Sequence, residues 1–178
     1  MKAEVLNSFD PEVLKAILTI ERDSFPESWR YDDAEEYYRH KLNMEANINI
    51  LLTENEQMVG YLLAMPHNDA VQELKEDDPD LKEDPMKYYI ETVAVLPEFR
   101  RRKGLATMLY KLAEECHKRG TDKVSIHARV SNRLSEIIQN NYRVIEVRRI
   151  ERWKYYNCEE PADYIEIILT TVGLEAPS

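Results

Sequence analysis

Apolar positions along this chain switch between two rhythms, and the switches mark out its elements. Lys2–Leu6 reads as a short opening strand. Asp10-Pro11-Glu12 reads as a helix start, with Asp as N-cap and Pro at the first helical position. Val13, Leu14, Ile17, Leu18 and Glu21 follow at helical spacing. Phe25-Pro26 closes that helix, because the residue before a proline is pushed out of the α region. A second helix is predicted from about Asp32 to Leu42, then two strands, Ile48–Thr53 and Met58–Met65, joined tightly through Glu54-Asn55-Glu56. Tyr88–Val95 is a fourth strand. Leu105, Met108, Leu109, Leu112 and Cys116 then form one helical stripe, which Gly120 ends. Lys123–Val130 alternates strictly: Val124, Ile126, Ala128 and Val130 face one way, and Ser125, His127 and Arg129 the other. A short helix over about 132–140 and two long strands, about 144–155 and 164–170, complete the pattern. The order is α/β, with a mixed sheet of about seven strands and about four helices in one domain.

Asn68–Met86 fits neither rhythm. It carries Glu73, Glu76, Asp77, Asp78, Asp80, Glu83 and Asp84 with Pro79 and Pro85. That composition predicts a mobile, solvated acidic loop inserted within the domain. Charge is uneven elsewhere too. The formal net charge is -10, yet residues 1–87 hold 21 acidic against 9 basic residues. An acidic first half and a neutral-to-basic second half fit two ligands of opposite sign, or simply solubility.

Composition removes several classes. Two cysteines exclude a disulfide scaffold and a cysteine-ligated zinc ribbon. Four scattered glycines exclude GxGxxG and Walker-type loops, so phosphate binding needs another device. No metal cofactor is expected. No apolar run approaches the roughly 18 residues of a membrane span, and the first residues hold no apolar signal core, which together predict a cytoplasmic protein with no membrane partner.

One segment supplies the missing phosphate device. Val93-Ala94-Val95-Leu96-Pro97-Glu98-Phe99 leads through Arg100-Arg101-Arg102-Lys103 into Gly104-Leu105-Ala106-Thr107. This is a strand, a turn with four cations, and a helix N-terminus, whose first-turn N–H groups are unpaired and carry partial positive charge. Gly104 and Ala106 lack bulk, so a pyrophosphate can come close to the backbone. Read without that setting, the cations are a solvated run or a nucleic-acid patch. The strand-to-helix position favours the phosphate, and no nucleic-acid partner is expected.

The segment resembles the acetyl-CoA motif of GNAT acetyltransferases, Arg/Gln-x-x-Gly-x-Gly/Ala, which either Arg100 or Arg101 opens. The resemblance implies a single GNAT domain with a central, largely antiparallel mixed sheet. It implies that the backbone of Val93, Ala94 and Val95 pairs with the pantetheine arm, and that Arg102, Lys103, Gly104, Leu105, Ala106 and Thr107, with Asn132, help hold acetyl-CoA. Four further segments are similar to N-terminal acetyltransferases of the NatE catalytic-subunit type. They are Phe25-Pro26-Glu27-Ser28-Trp29, Tyr89 three residues before Thr92, Ile126-His127-Ala128-Arg129-Val130-Ser131-Asn132, and Tyr155-Tyr156 with Glu160-Pro161-Ala162-Asp163. The likeness implies acceptor contacts from Phe25, Pro26, Trp29, Tyr155 and Tyr156. It implies His127 as the principal base, with Tyr89 ordering the water that relays the proton.

These residue types suit acyl transfer to an amine. An α-amino group titrates near ~7.7–8.0 and a histidine near ~6.5, so the proton passes with little mismatch. Glu91, two residues after Tyr89, is the reserve base. Cys116 closes an apolar stripe and reads as core, which argues against an acyl-cysteine route. Gln139 stands near the place of the family's proton donor and cannot act as an acid, which leaves the acid unassigned. The expected acceptor is a peptide or protein α-amine, ahead of a small cationic amine such as a polyamine. The rival of another kind is an acyl-CoA- or RNA-binding module without catalysis. The oligomeric state is not legible.

Overall fold

A computed structural model describes residues 1–154 and 158–170. Seven strands form one sheet in the order β1-β2-β3-β4-β5-β7-β6. The strands are β1 Lys2–Val5, β2 Ile48–Glu54, β3 Gln57–Pro66, β4 Lys87–Val95, β5 Lys123–Arg129, β6 Arg143–Trp153 and β7 Glu160–Ile168. Five α-helices accompany them: α1 Pro11–Ser24, α2 Ala34–Asn43, α3 His67–Leu74, α4 Gly104–Lys118 and α5 Leu134–Asn141. All pairings are antiparallel except β4 with β5.

Local chemistry sets the boundaries. The Asp10 side chain accepts the Glu12 N–H at 2.8 Å, and Pro11 opens α1. At the end of α4, Thr121 N–H donates to Cys116 O and Gly120 N–H to His117 O, both at 3.0 Å. Gly120 takes φ 79°, so the helix stops in a Schellman turn.

Strand alternation separates two chambers. Tyr61 and Met65 face α2: Tyr38 Oη lies 3.1 Å from Tyr61 Oη, and Lys41 Nζ reaches Met65 Sδ at 3.8 Å. Gly60 faces the other way, paired with Leu52, and α4 packs there. A Cβ added to Gly104 would stand 2.8 Å from Leu52 Cδ2. The bareness of Gly104 therefore also serves close packing of α4 on the sheet.

The acidic segment also departs from expectation. It begins with helix α3, and Ala70, Val71, Leu74 and Leu81 are buried with Met65, Tyr89, Trp153 and Tyr164 in a second apolar cluster. Asp78 is 2% exposed. The acidic residues masked four apolar anchors spaced along the segment. The side of β5 bearing Ser125, His127 and Arg129 is consequently roofed. His67, from α3, meets Ser125 Oγ at 2.9 Å and the Lys82 carbonyl at 3.0 Å. Burial pulls the His67 pKa down to about 4, so it packs as a neutral ring.

Candidate active site

β4 and β5 share a parallel ladder only from Lys87↔Lys123 to Ile90↔Ile126, and both strands continue beyond it. The wedge they leave opens into two connected hollows. The larger, about 560 Å³, runs along Val93–Val95 to the start of α4. The smaller, about 80 Å³, reaches inward to Glu91 and His127. Phe25, Trp29, Val93, Asn132 and Leu134 line both.

The larger hollow gathers most of the expected acetyl-CoA residues. Val93, Ala94, Val95, Arg100, Arg101, Lys103, Gly104, Leu105, Ala106 and Asn132 line it, whereas Arg102 and Thr107 do not. Arg102 turns toward Glu54 at 3.5 Å. Thr107 bonds the Lys103 carbonyl through both its N–H and its hydroxyl. Arg100 is a tie: its guanidinium donates to Val95 O and Ser24 O, each at 3.0 Å. Arg101 and Lys103 take left-handed backbone, φ 64° and 63°. No side chain caps α4, so the N–H groups of Gly104, Leu105 and Ala106 are left for a ligand. A cationic turn, unpaired amides and a long apolar trough fit a pyrophosphate with an extended arm. Tyr142, which follows α5, is on the same wall, and burial raises its pKa, so it keeps its proton.

At the inner end, β4 carries a bulge. Thr92 pairs with Leu63 and Ile90 with Ala64, so Glu91 is the extra residue. The bulge re-aims Glu91 into the smaller hollow, while Tyr89 stays behind it in the second apolar cluster. Simple alternation puts the two side by side; the bulge separates them. Neither Glu91 carboxylate oxygen receives a hydrogen bond, although its side chain is only 2% exposed. Lys41 Nζ is 3.2 Å from Oε1, but its hydrogen bonds go to both oxygens of Glu73 at 2.7 Å. Burial pushes the Glu91 pKa up to about 8.

His127 lines the same hollow but is fully engaged. Nδ1 meets Tyr89 Oη at 3.0 Å, and Nε2 meets Asp78 Oδ2 at 2.9 Å. Its ring stacks on Trp153, 4.2 Å between centroids and 9° from parallel. Both nitrogens of His127 are engaged, so a proton from an amine can reach the ring only by way of the Tyr89 hydroxyl. The alternation of β5 shows His127's face, but not what the acidic segment brings against it.

Phe25 caps the end of α1 and Trp29 closes the 3₁₀ turn Glu27–Trp29 that follows; Pro26, between them, lines neither hollow. Arg129 lies over the Trp29 ring, 5.1 Å from its centroid, and pairs with Glu160 at 3.0 Å, linking that turn to β7. Tyr155 and Tyr156 lie outside the described residues. Sequence reasoning missed Glu21, which it placed on the helical stripe. Glu21 is 3% exposed, lines the inner hollow, and is pushed by burial to about 7. An acidic residue on an apolar stripe is the signal that marked it.

A wedge between parallel strands, ending in an amide-bearing helix start, suits a ligand with a phosphate end and a long extended arm. The Acetyltransferase (GNAT) family model matches residues 14–136, and the chain belongs to that family. It is an acyltransferase, and the GNAT fold binds acetyl-CoA. Three solved structures share the fold. The Escherichia coli ribosomal-protein-S18-alanine N-acetyltransferase is 20% identical with TM-score 0.63, over 94% of this chain and 95% of that one. An aminoglycoside 6'-N-acetyltransferase complexed with coenzyme A is 12% identical with TM-score 0.68, over 96% and 98%. The Ard1 protein of Thermoplasma volcanium is 18% identical with TM-score 0.66, over 96% and 100%. Among the described residues no cluster of metal-ligating side chains occurs, and no helix is long and apolar enough to cross a membrane.

Proposed function

We propose that this acetyltransferase acts on the α-amine of a peptide or protein N-terminus, with Glu91 as the base. The observation that carries the reading is the buried Glu91 carboxyl on the wall of the inner hollow, which receives no hydrogen bond, has only the Lys41 ammonium beside it, and is pushed up to about 8 by burial. An α-ammonium, near ~7.7–8.0, can pass its proton to such a group almost without cost, whereas a lysine-type amine near ~10.4 cannot. Glu91 takes the ammonium proton. The neutral amine attacks the thioester carbonyl, the C–N bond forms, and the C–S bond breaks. As the amide forms the nitrogen releases its second proton to water; the thiolate leaves along the larger hollow and takes a proton from Tyr142 on its wall, which the released proton then restores. Residues Val93–Val95 and the turn at Arg101–Ala106 hold acetyl-CoA; Phe25 and Trp29 form the floor shared by donor and acceptor.

The test is an acetyl-CoA turnover assay on three acceptors: a peptide with a free N-terminus, the same peptide blocked at the N-terminus but containing lysine, and a polyamine. Turnover is expected on the first. Preference for the polyamine would overturn the α-amine reading. Glu21 gives a narrower check, since it lines the inner hollow and not the larger one. Glu21→Gln should raise the acceptor KM by roughly tenfold, the loss of one charge-assisted contact, and leave the acetyl-CoA KM unchanged.

A further inference from the structure

We propose that Asp78 is a positioning residue for the acyl-transfer site, holding His127 in the tautomer with its proton on Nε2 so that Nδ1 accepts the Tyr89 hydroxyl. The inference rests on the reading above that the inner hollow, with His127 on its wall, receives the acceptor.

Three elements converge on this one carboxylate. Asp78 follows α3, its N–H donating to Leu74 O at 2.8 Å, while its own carbonyl accepts the Leu81 N–H at 3.1 Å. Leu74 and Leu81 are buried, so the turn is anchored on both sides. From β6, Arg148 grips both Asp78 oxygens, at 2.9 and 2.6 Å. From β5, His127 meets Oδ2. A carboxylate paired with a guanidinium stays ionised, and an ionised carboxylate can only accept. The Nε2 facing it must therefore carry hydrogen. Burial lowers the His127 pKa and keeps the ring neutral, so it has one N–H and its Nδ1 is an acceptor. The remaining hydrogen in that contact is the Tyr89 hydroxyl's. Trp153, stacked on the ring, fixes its plane.

The chain Arg148–Asp78–His127–Tyr89 thus aims the tyrosine hydroxyl hydrogen inward at the ring. Without the carboxylate, the ring can take the opposite tautomer, with hydrogen on Nδ1, and the hydroxyl must turn away. The acidic segment has a parallel contact on the other candidate group, through Glu73 and Lys41 beside Glu91.

The test uses the full chain, labelled with ¹⁵N-histidine, as wild type, Asp78→Asn and Asp78→Glu. The wild type should show His127 protonated on Nε2. Asp78→Asn should move His127 toward the Nδ1–H tautomer and lower kcat about 10- to 100-fold, the scale by which activity falls when a metal-held histidine loses its outer hydrogen-bond partner, with the acetyl-CoA KM unchanged. Asp78→Glu should recover part of both. If Asp78→Asn does not fold, Arg148→Gln loosens the same clamp from its far end and should give a tautomer mixture with reduced kcat. An unchanged tautomer in Asp78→Asn, or in Arg148→Gln where that variant is needed, overturns the proposal. A changed tautomer with unchanged kcat overturns the role of His127 in the site while leaving the hold of Asp78 on the ring intact, which separates the two failures.

Discussion

Glu91→Gln should abolish most turnover, lowering kcat about 10²–10⁴-fold, the usual cost of losing a general base, while acetyl-CoA still binds. The substitution keeps shape and removes only basicity. In the wild type the base form exists above its raised pKa, so kcat/KM for the acceptor should rise with pH toward about 8. The variant should lose that limb. Stability moves in the opposite direction. The folded chain holds the Glu91 proton up to about 8, whereas the unfolded carboxyl releases it near the ordinary value of 4.5. Folding is therefore penalised progressively as pH rises from 4.5 to about 8, and fully above it. The Gln variant escapes that penalty. Thermal melts of both proteins at pH 5 and pH 9 should show the variant gaining most at pH 9. Retained turnover in Glu91→Gln would return the base to the Tyr89–His127 pair.

Ala106→Glu should cost about 100-fold or more in acetyl-CoA affinity. The new carboxylate would stand in the first turn of α4, on the wall of the larger hollow, where a pyrophosphate needs the free amides. Like charges brought together across a binding surface cost several kcal/mol. Ala106 is the informative position because it is partly exposed, whereas Gly104 is buried against Leu52 and any side chain there disturbs packing first. A binding titration with coenzyme A decides it. Unchanged affinity would place the pyrophosphate elsewhere.

The elements that recur at a clear period were legible: the α4 stripe, the alternation of β5 and the capped start of α1 all stand where their patterns put them. The cationic turn was legible as chemistry because its position on a strand-to-helix junction is itself a sequence feature. What sequence could not carry is the meeting of distant segments. The acidic stretch is read as solvated by composition, since its apolar anchors Val71, Leu74 and Leu81 are outnumbered by carboxylates. The bulge at Glu91 has no glycine or proline to announce it. His127 and Asp78 are 49 residues apart, and nothing in either neighbourhood names the other.

The short parallel ladder between β4 and β5 has a consequence for register. One residue of slip along it would turn every β5 side chain over, sending His127 into the main apolar core and Ile126 toward Tyr89. Four backbone pairs are a weak lock against such an error. The lock is completed by charge: Lys87, at the foot of the ladder, is buried with Glu166 and meets Tyr164 Oη at 3.3 Å across β5. An ion pair so buried adds little net stability, but separating its partners strands a charge at a cost of about 3–5 kcal/mol. Lys87 and Glu166 thus act as an alignment key, and the two halves of the sheet can join in only one phase.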